Sequence, residues 1–207
     1  MSAVRRGPAP LALAVYGTVA FATIGIAFAA DKSLLTTGDP SVFGHLTSLA
    51  SGLVLAAATI GATRTFVRKW EWARALHADL RPTIRHASNA TLLVLGIASA
   101  LGEELFFRGL LVPAIGVALS SIAFGGLHQL RGRVGWMWAG WATVMGLLFA
   151  TLFVMTGSLL GPILAHAAIN VANLRFLRDT EVDPPKPRRL GGLLTSLPAS
   201  SGTARRR

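Results

Sequence analysis

Between Asp79 and Asp179 the sequence places only two acidic residues, Glu103 and Glu104, side by side in "LGEELFFRGLL" (101–111). A charged side chain at the centre of a membrane-spanning helix costs about 2.5–3.5 kcal/mol on insertion scales, so an adjacent pair calls for a partner or a function. Arg108 stands four residues after Glu104, and residues at i and i+4 meet on one helix face. Glu104 and Arg108 can therefore pair. Glu103 is rotated about 100° from Glu104 around the helix, poorly placed for the same guanidinium, and is the candidate for chemistry. Of the five histidines, two lie beyond residue 90: His128 in "FGGLHQL" and His166 in "ILAHAAINVANL". Phe124 precedes His128 by four residues and Asn170 follows His166 by four, so each pair shares a helix face. A carboxylate, two imidazoles and a carboxamide on separate apolar segments suit activation of a water by a buried glutamate with histidine assistance. Taken singly, each residue also has a plainer reading. Glu104 with Arg108 can be a helix-locking pair, a lone intramembrane histidine can be packed core, and Asn170 can bond a neighbouring helix.

The segments that hold these residues are membrane spans by composition. The chain has 207 residues, 52% hydrophobic and only 14% charged, with a mean hydropathy of +0.55; soluble domains carry about 25% charged residues. Stretches 10–30, 41–62 and 136–158 contain no Lys, Arg, Asp or Glu, and 90–102, 109–127 and 157–174 are nearly as clean. Runs of about 20 apolar residues cross a bilayer as helices. The expectation is an all-α polytopic membrane bundle of about six transmembrane helices.

The net charge of +11 has a topological reading. Arg5 and Arg6 precede the first span, six basic residues from Arg64 to Arg85 follow the second, Arg131 and Arg133 separate the fourth and fifth, and eight more run from Arg175 to Arg207. With loops numbered alternately these all fall on one side, leaving Lys32 opposite and Arg108 inside a span. That is the positive-inside pattern. It predicts an integral protein of the plasma membrane with both termini cytoplasmic and with anionic lipids as partners, and it argues against nucleic acid. Arg5, Arg6 and the "AFAAD" at 27–31 also resemble a signal peptide, but the apolar run is longer than the usual signal core, which favours a retained anchor.

The expected organisation is two N-terminal transmembrane helices (1–62), a cytoplasmic basic amphipathic segment (63–89), a helical catalytic core (90–178) and a disordered basic tail (179–207). The 63–89 helix is expected to rest on lipid and to stop near Leu80, because Pro82 disfavours helix in the residue before it. The tail is Pro-, Gly-, Ser- and Arg-rich, a composition that does not fold. If the third span begins near Ala90, Glu103 lies about 20 Å deep while His128 sits near a span end. For the two to meet, Pro113 is expected to break the fourth segment, making it broken or re-entrant, with a water-filled cavity open to the cytoplasm.

Other membrane chemistries are absent from the text. There is no His-Glu-x-x-His zinc helix and no Gly-x-Ser-x-Gly elbow, no Asp lies in a span, and Cys is absent altogether. Two non-hydrolytic readings stay open: a proton- or ion-coupled transporter, with Glu and His as a relay but without paired half-helix repeats, and a non-catalytic immunity or scaffold protein.

Glu103-Glu104-x-x-x-Arg108, Phe124-x-x-x-His128 and His166-x-x-x-Asn170 together resemble the motifs of the CPBP family. This is the family of CAAX proteases and bacteriocin-processing or immunity proteins, which includes the type II CAAX prenyl endopeptidases. The resemblance covers about 88–178, with Gly109 and the "TGSLLGPILAH" approach to His166 also family-like. It implies endoproteolysis of a membrane-associated protein or peptide substrate, of prenylated CAAX type in some members. Glu103 and His128 would orient and deprotonate the attacking water, and His166 and Asn170 would stabilise the oxyanion. Glu104 and Arg108 would hold the helix and grip a substrate carboxylate. The family is filed among metalloproteases, while a metal-free glutamate mechanism is also argued for its CAAX members. Glu103, His128 and His166 are the candidate ligands for a zinc ion.

Overall fold

The computed structural model describes residues 9–130 and 132–183. Arg5, Arg6 and Arg131, and residues 184–207 of the expected tail, lie outside the described residues. The fold is all-α: α1 (Ala9–Ala29), α2 (Val42–Lys69), α3 (Glu71–Ile84), α4 (Asn89–Glu104), a π-helical turn (Leu105–Leu111), α5 (Val112–Leu127), α6 (Arg133–Thr156) and α7 (Leu160–Asp179). Five helical runs are long and apolar enough to cross a membrane, one fewer than the six spans expected. The difference lies at the glutamate pair. Residues 103–108 carry the helix on from the third expected span into the fourth, so 89–127 forms one run of 39 residues.

That run is not straight. Glu103 and His128 would stand about 38 Å apart in an uninterrupted helix, yet their side chains approach to 4.0 Å. The chain turns back at Gly116, whose φ of 82° and ψ of 168° are open to glycine and closed to L side chains. The break was expected at Pro113. Pro113 instead opens α5, where a missing N–H costs least.

Elsewhere the ends are set by local chemistry. Ser41 and Ser88 cap α2 and α4, their hydroxyls accepting from the N–H of Gly44 and Thr91. Gly157 ends α6 in the left-handed conformation, φ 68°, the usual glycine stop. The basic stretch after the second span is divided: α2 runs on to Lys69, Trp70 is extended, and α3 begins at Glu71. Helix α3 continues past Leu80 to Ile84 with Pro82 inside it. Only two residues follow the proline, so few bonds are at stake, and the Thr83 hydroxyl donates to the carbonyl of Leu80 (2.7 Å).

Small residues let the helices close. A Cβ on Gly52 of α2 would stand 2.5 Å from the carbonyl oxygen of Gly161 on α7, Gly161 lies equally tight on Ser48, and a Cβ on Gly96 of α4 would stand 2.6 Å from Val171 of α7. Such contacts are the main means of helix association where lipid removes the hydrophobic drive. At one end of the bundle the α1–α2 loop meets the α6–α7 junction through Thr37 N–H to the Gly157 carbonyl (3.0 Å) and Leu159 N–H to the Leu35 carbonyl (2.9 Å). At the other end α3 packs on α2, α6 and α7, burying Ala73, Leu76 and His77. Its buried face therefore covers the end of the bundle, where the sequence reading expected that face to rest on lipid.

His77 ties α3 to the end of α7, its Nε2–H donating to the Thr180 carbonyl (2.8 Å) and its ring packing edge-on to Phe176. Burial holds its pKa below the usual value of 6.5, with Arg81 and Arg64 adding to the effect and the Thr180 carbonyl opposing it. The neutral ring is thus favoured when α3 is docked, and docking weakens as pH falls below about 6.5, where the undocked ring gains a proton. The protection factors of the α3 amides, exchange rates taken relative to the intrinsic rate at each pH, are expected to fall from pH 7.5 to 5.5. His77→Gln, which keeps a donor for Thr180, should flatten that dependence.

Candidate active site

Helix α4 delivers the two carboxylates to different surroundings. Glu104 is fully buried, and Arg108 is 1% exposed. Arg108 Nη1 donates to Glu104 Oε1 at 2.9 Å, and its Nη2 reaches the carbonyl of Gly146 on α6 at 3.4 Å. The guanidinium also lies over the Phe124 ring, 4.4 Å from its centroid, a cation–π contact strengthened by the absence of water. The i,i+4 pair read from the sequence is present, but it spans the α-to-π boundary. A π turn holds more residues than an α turn, and such turns cluster at functional sites.

Glu104 has a second partner that the sequence did not reveal. His166 Nδ1 lies 2.7 Å from Glu104 Oε1. That oxygen already accepts from Arg108, and the imidazole Nδ1–H donates to it as a second partner. The imidazole is stacked on Phe149 at 5.0 Å, and its Nε2 turns to Glu103 Oε2 at 3.7 Å. On α5, His128 Nδ1–H donates to the Phe124 carbonyl at 2.8 Å, a contact made by the i,i+4 spacing. This leaves Nε2 as the free edge, 4.0 Å from Glu103 Oε2. Phe124 is wedged below both rings, 4.5 Å from His128 and 6.0 Å from His166.

Two histidines from different helices thus present Nε2 to one oxygen of Glu103. That oxygen, Oε2, is buried and has no hydrogen-bond partner in the structure. Buried acceptors are rarely left so, and an exception calls for an explanation. Asn170, one turn beyond His166 on α7, lines the same cavity but is turned aside. Its Nδ2 donates to Ser99 Oγ at 2.9 Å, and Ser99 in turn donates to the Gly96 carbonyl at 3.2 Å. Ser99, four residues before Glu103, escaped the sequence reading although the i,i+4 rule could have found it. Phe149 and the Gly146 carbonyl carry no sequence signal.

The cavity holds about 470 Å³ and runs from Glu103 to α3, where Trp72, Leu76 and His77 form its far wall. As to metal, no group of three or more His, Asp or Glu side chains among the described residues is arranged to hold an ion.

Removing Arg108 strands Glu104 in an apolar site, while removing Glu103 strands nothing. Breaking a buried pair by removing one partner costs about 3–5 kcal/mol. Arg108→Ala should therefore unfold in detergent at a clearly lower temperature than wild type, and Glu103→Gln should unfold close to it. Equal unfolding temperatures would show that His166 alone sustains the buried carboxylate.

Residues 86–172 match the family model described as "Type II CAAX prenyl endopeptidase Rce1-like". No curated protein and no solved structure matches the chain. The matched stretch contains all seven motif residues, from Glu103 to Asn170, so over 86–172 the chain is similar to the Rce1-like type II CAAX prenyl endopeptidases.

Proposed function

We propose that this membrane protein is an intramembrane endopeptidase in which Glu103 activates water. The observation that carries the reading is the unpartnered Glu103 Oε2 facing two imidazole Nε2 atoms at 3.7 and 4.0 Å. A water between Glu103 Oε2 and His128 Nε2 would donate one hydrogen to each and turn its lone pairs to the cavity. Because the Phe124 carbonyl holds the proton on Nδ1, His128 Nε2 is an acceptor. Attack on a scissile carbonyl would move the water proton to Glu103, and Glu103 would pass it to the leaving amine.

On the opposite side, His166 with a proton on each nitrogen would donate Nε2–H to the tetrahedral oxyanion, and Glu104 would support the added charge through Nδ1. Asn170 has one amide hydrogen engaged by Ser99, and its second would serve the same oxyanion. A donor of this kind is worth about 10²–10³ in rate. Substrate would enter along the apolar arm toward α3, a shape suited to a lipid-modified or extended apolar peptide. By the positive-inside rule the α3 end, with Arg64, Arg68, Lys69, Arg74 and Arg81, would face the cytoplasm, and both termini would lie on that side.

The test is cleavage of membrane-tethered peptide reporters, prenylated and unprenylated, by protein purified in detergent or liposomes. Wild type should cleave. Glu103→Gln and His128→Ala should lose at least about 10²-fold in kcat, the lower range for a general base. A strong chelator should leave the wild-type rate unchanged; loss of activity restored by zinc would reassign Glu103, His128 and His166 as ligands. Proton flux across liposomes with no cleavage of any reporter would overturn the protease reading.

A further inference from the structure

We propose that Tyr16 of α1 is a positioning residue for Glu103, its hydroxyl donating to the Glu103 carboxylate. The catalytic consequence rests on Glu103 acting as base, whereas the contact itself does not. Helix α1 is otherwise an outer helix. It buries only Thr23 and Ala27 and exposes Leu11, Val15, Phe21, Ile24, Ile26 and Phe28. On a face of that kind a phenol has no polar partner, and a tyrosine hydroxyl removed from water usually finds one.

Tyr16 is half-buried and lines the cavity shared by Glu103, His128, His166 and Asn170. Its approach depends on the residue just before the glutamate. A Cβ on Gly102 would stand 3.0 Å from the Tyr16 carbonyl oxygen and 3.5 Å from the Tyr16 Cβ. The bare glycine lets α1 close on α4 at this level, and the Tyr16 ring and Glu103 then line one cavity. Of the two α1 residues that line this cavity, Ala12 and Tyr16, only Tyr16 has a polar side chain.

The chemistry of the contact follows. Glu104 is pinned by Arg108 and His166, but Glu103 has only imidazole edges at 3.7 and 4.0 Å and an unpartnered Oε2. A base must hold one oxygen toward the water through the reaction. A phenol, neutral at pH 7 and able to donate one hydrogen, would fix the carboxylate's rotation without adding a charge or competing as a base.

Tyr16 is the only tyrosine in the chain, so biosynthetic 3-fluorotyrosine gives one fluorine resonance in the full-length protein. That resonance should shift in Glu103→Gln and hold its place in Asp39→Asn, a change in the remote α1–α2 loop. In the reporter assay Tyr16→Phe should lower kcat by about ten- to a hundredfold, the scale of a hydrogen bond to a charged group. KM should stay within about twofold and the unfolding temperature near that of wild type, because the ring packing is kept. A resonance indifferent to Glu103→Gln would overturn the contact. An unchanged kcat in Tyr16→Phe would overturn the positioning role. A shifted resonance together with a wild type that cleaves nothing would leave the contact standing and sink the protease reading alone.

Discussion

The buried ion pair of Glu104 and Arg108 is the constraint on which the rest of the structure depends. Each charge alone would cost several kcal/mol in an apolar interior. With both fully buried, neither can be relieved by water. The pair fixes more than itself. Arg108 reaches back across the α-to-π boundary to Glu104, reaches across to the Gly146 carbonyl of α6, and lies on Phe124 of α5. Glu104 receives His166 of α7. Four helical segments are thus held to one carboxylate, and the orientation of His166 is a by-product of satisfying that charge. A carboxylate bonded to one ring nitrogen is a common way of presenting the other nitrogen for chemistry. The residue that looked purely structural in the sequence therefore also aims a functional one.

The reversal at Gly116 supplies the second half of the geometry. From Glu103 to Gly116 is thirteen residues and from Gly116 to His128 is twelve, two arms of almost equal length at about 1.5 Å per residue. Equal arms bring the second motif back to the depth of the first. The tight glycine contacts at Gly52, Gly96 and Gly161 do the same for α7 and set His166 beside α4. Three motifs far apart in the chain converge because two backbone devices, a turn and a set of close crossings, place them at one level.

What the sequence disclosed follows the same physics. Spans and the Glu104–Arg108 and His128–Phe124 spacings were legible, because apolar runs and i,i+4 neighbours are local properties of one helix. Whatever depends on a second helix was not. His166 was assigned to the oxyanion with Asn170, and nothing along the chain could show that its Nδ1 belongs to Glu104. Counting uncharged stretches separates 90–102 from 109–127, whereas the charges between them neutralise one another inside a continuous run. Pro113 drew the expected break because proline removes a donor, yet a proline in a first turn loses little. The reversal needed a positive φ, which only Gly116 could offer. Similarly, Pro82 was given too much weight against α3, where it sits in the last turn.

The adjacency of the two glutamates can now be given a physical reason. Neighbouring residues on a helix point about 100° apart, so one step along α4 separates the two environments that the proposed hydrolysis requires. On one side the carboxylate takes Arg108 and His166 on its Oε1 and anchors the bundle. On the other it keeps an unpartnered oxygen at the edge of a cavity. If the two functions sat on different helices, every shift between those helices would change the relation of base to imidazole. On a single helix the rise and rotation of the backbone fix it. The ion pair that makes the site tolerable in an apolar interior is then the same element that sets the distance between Glu103 and His166.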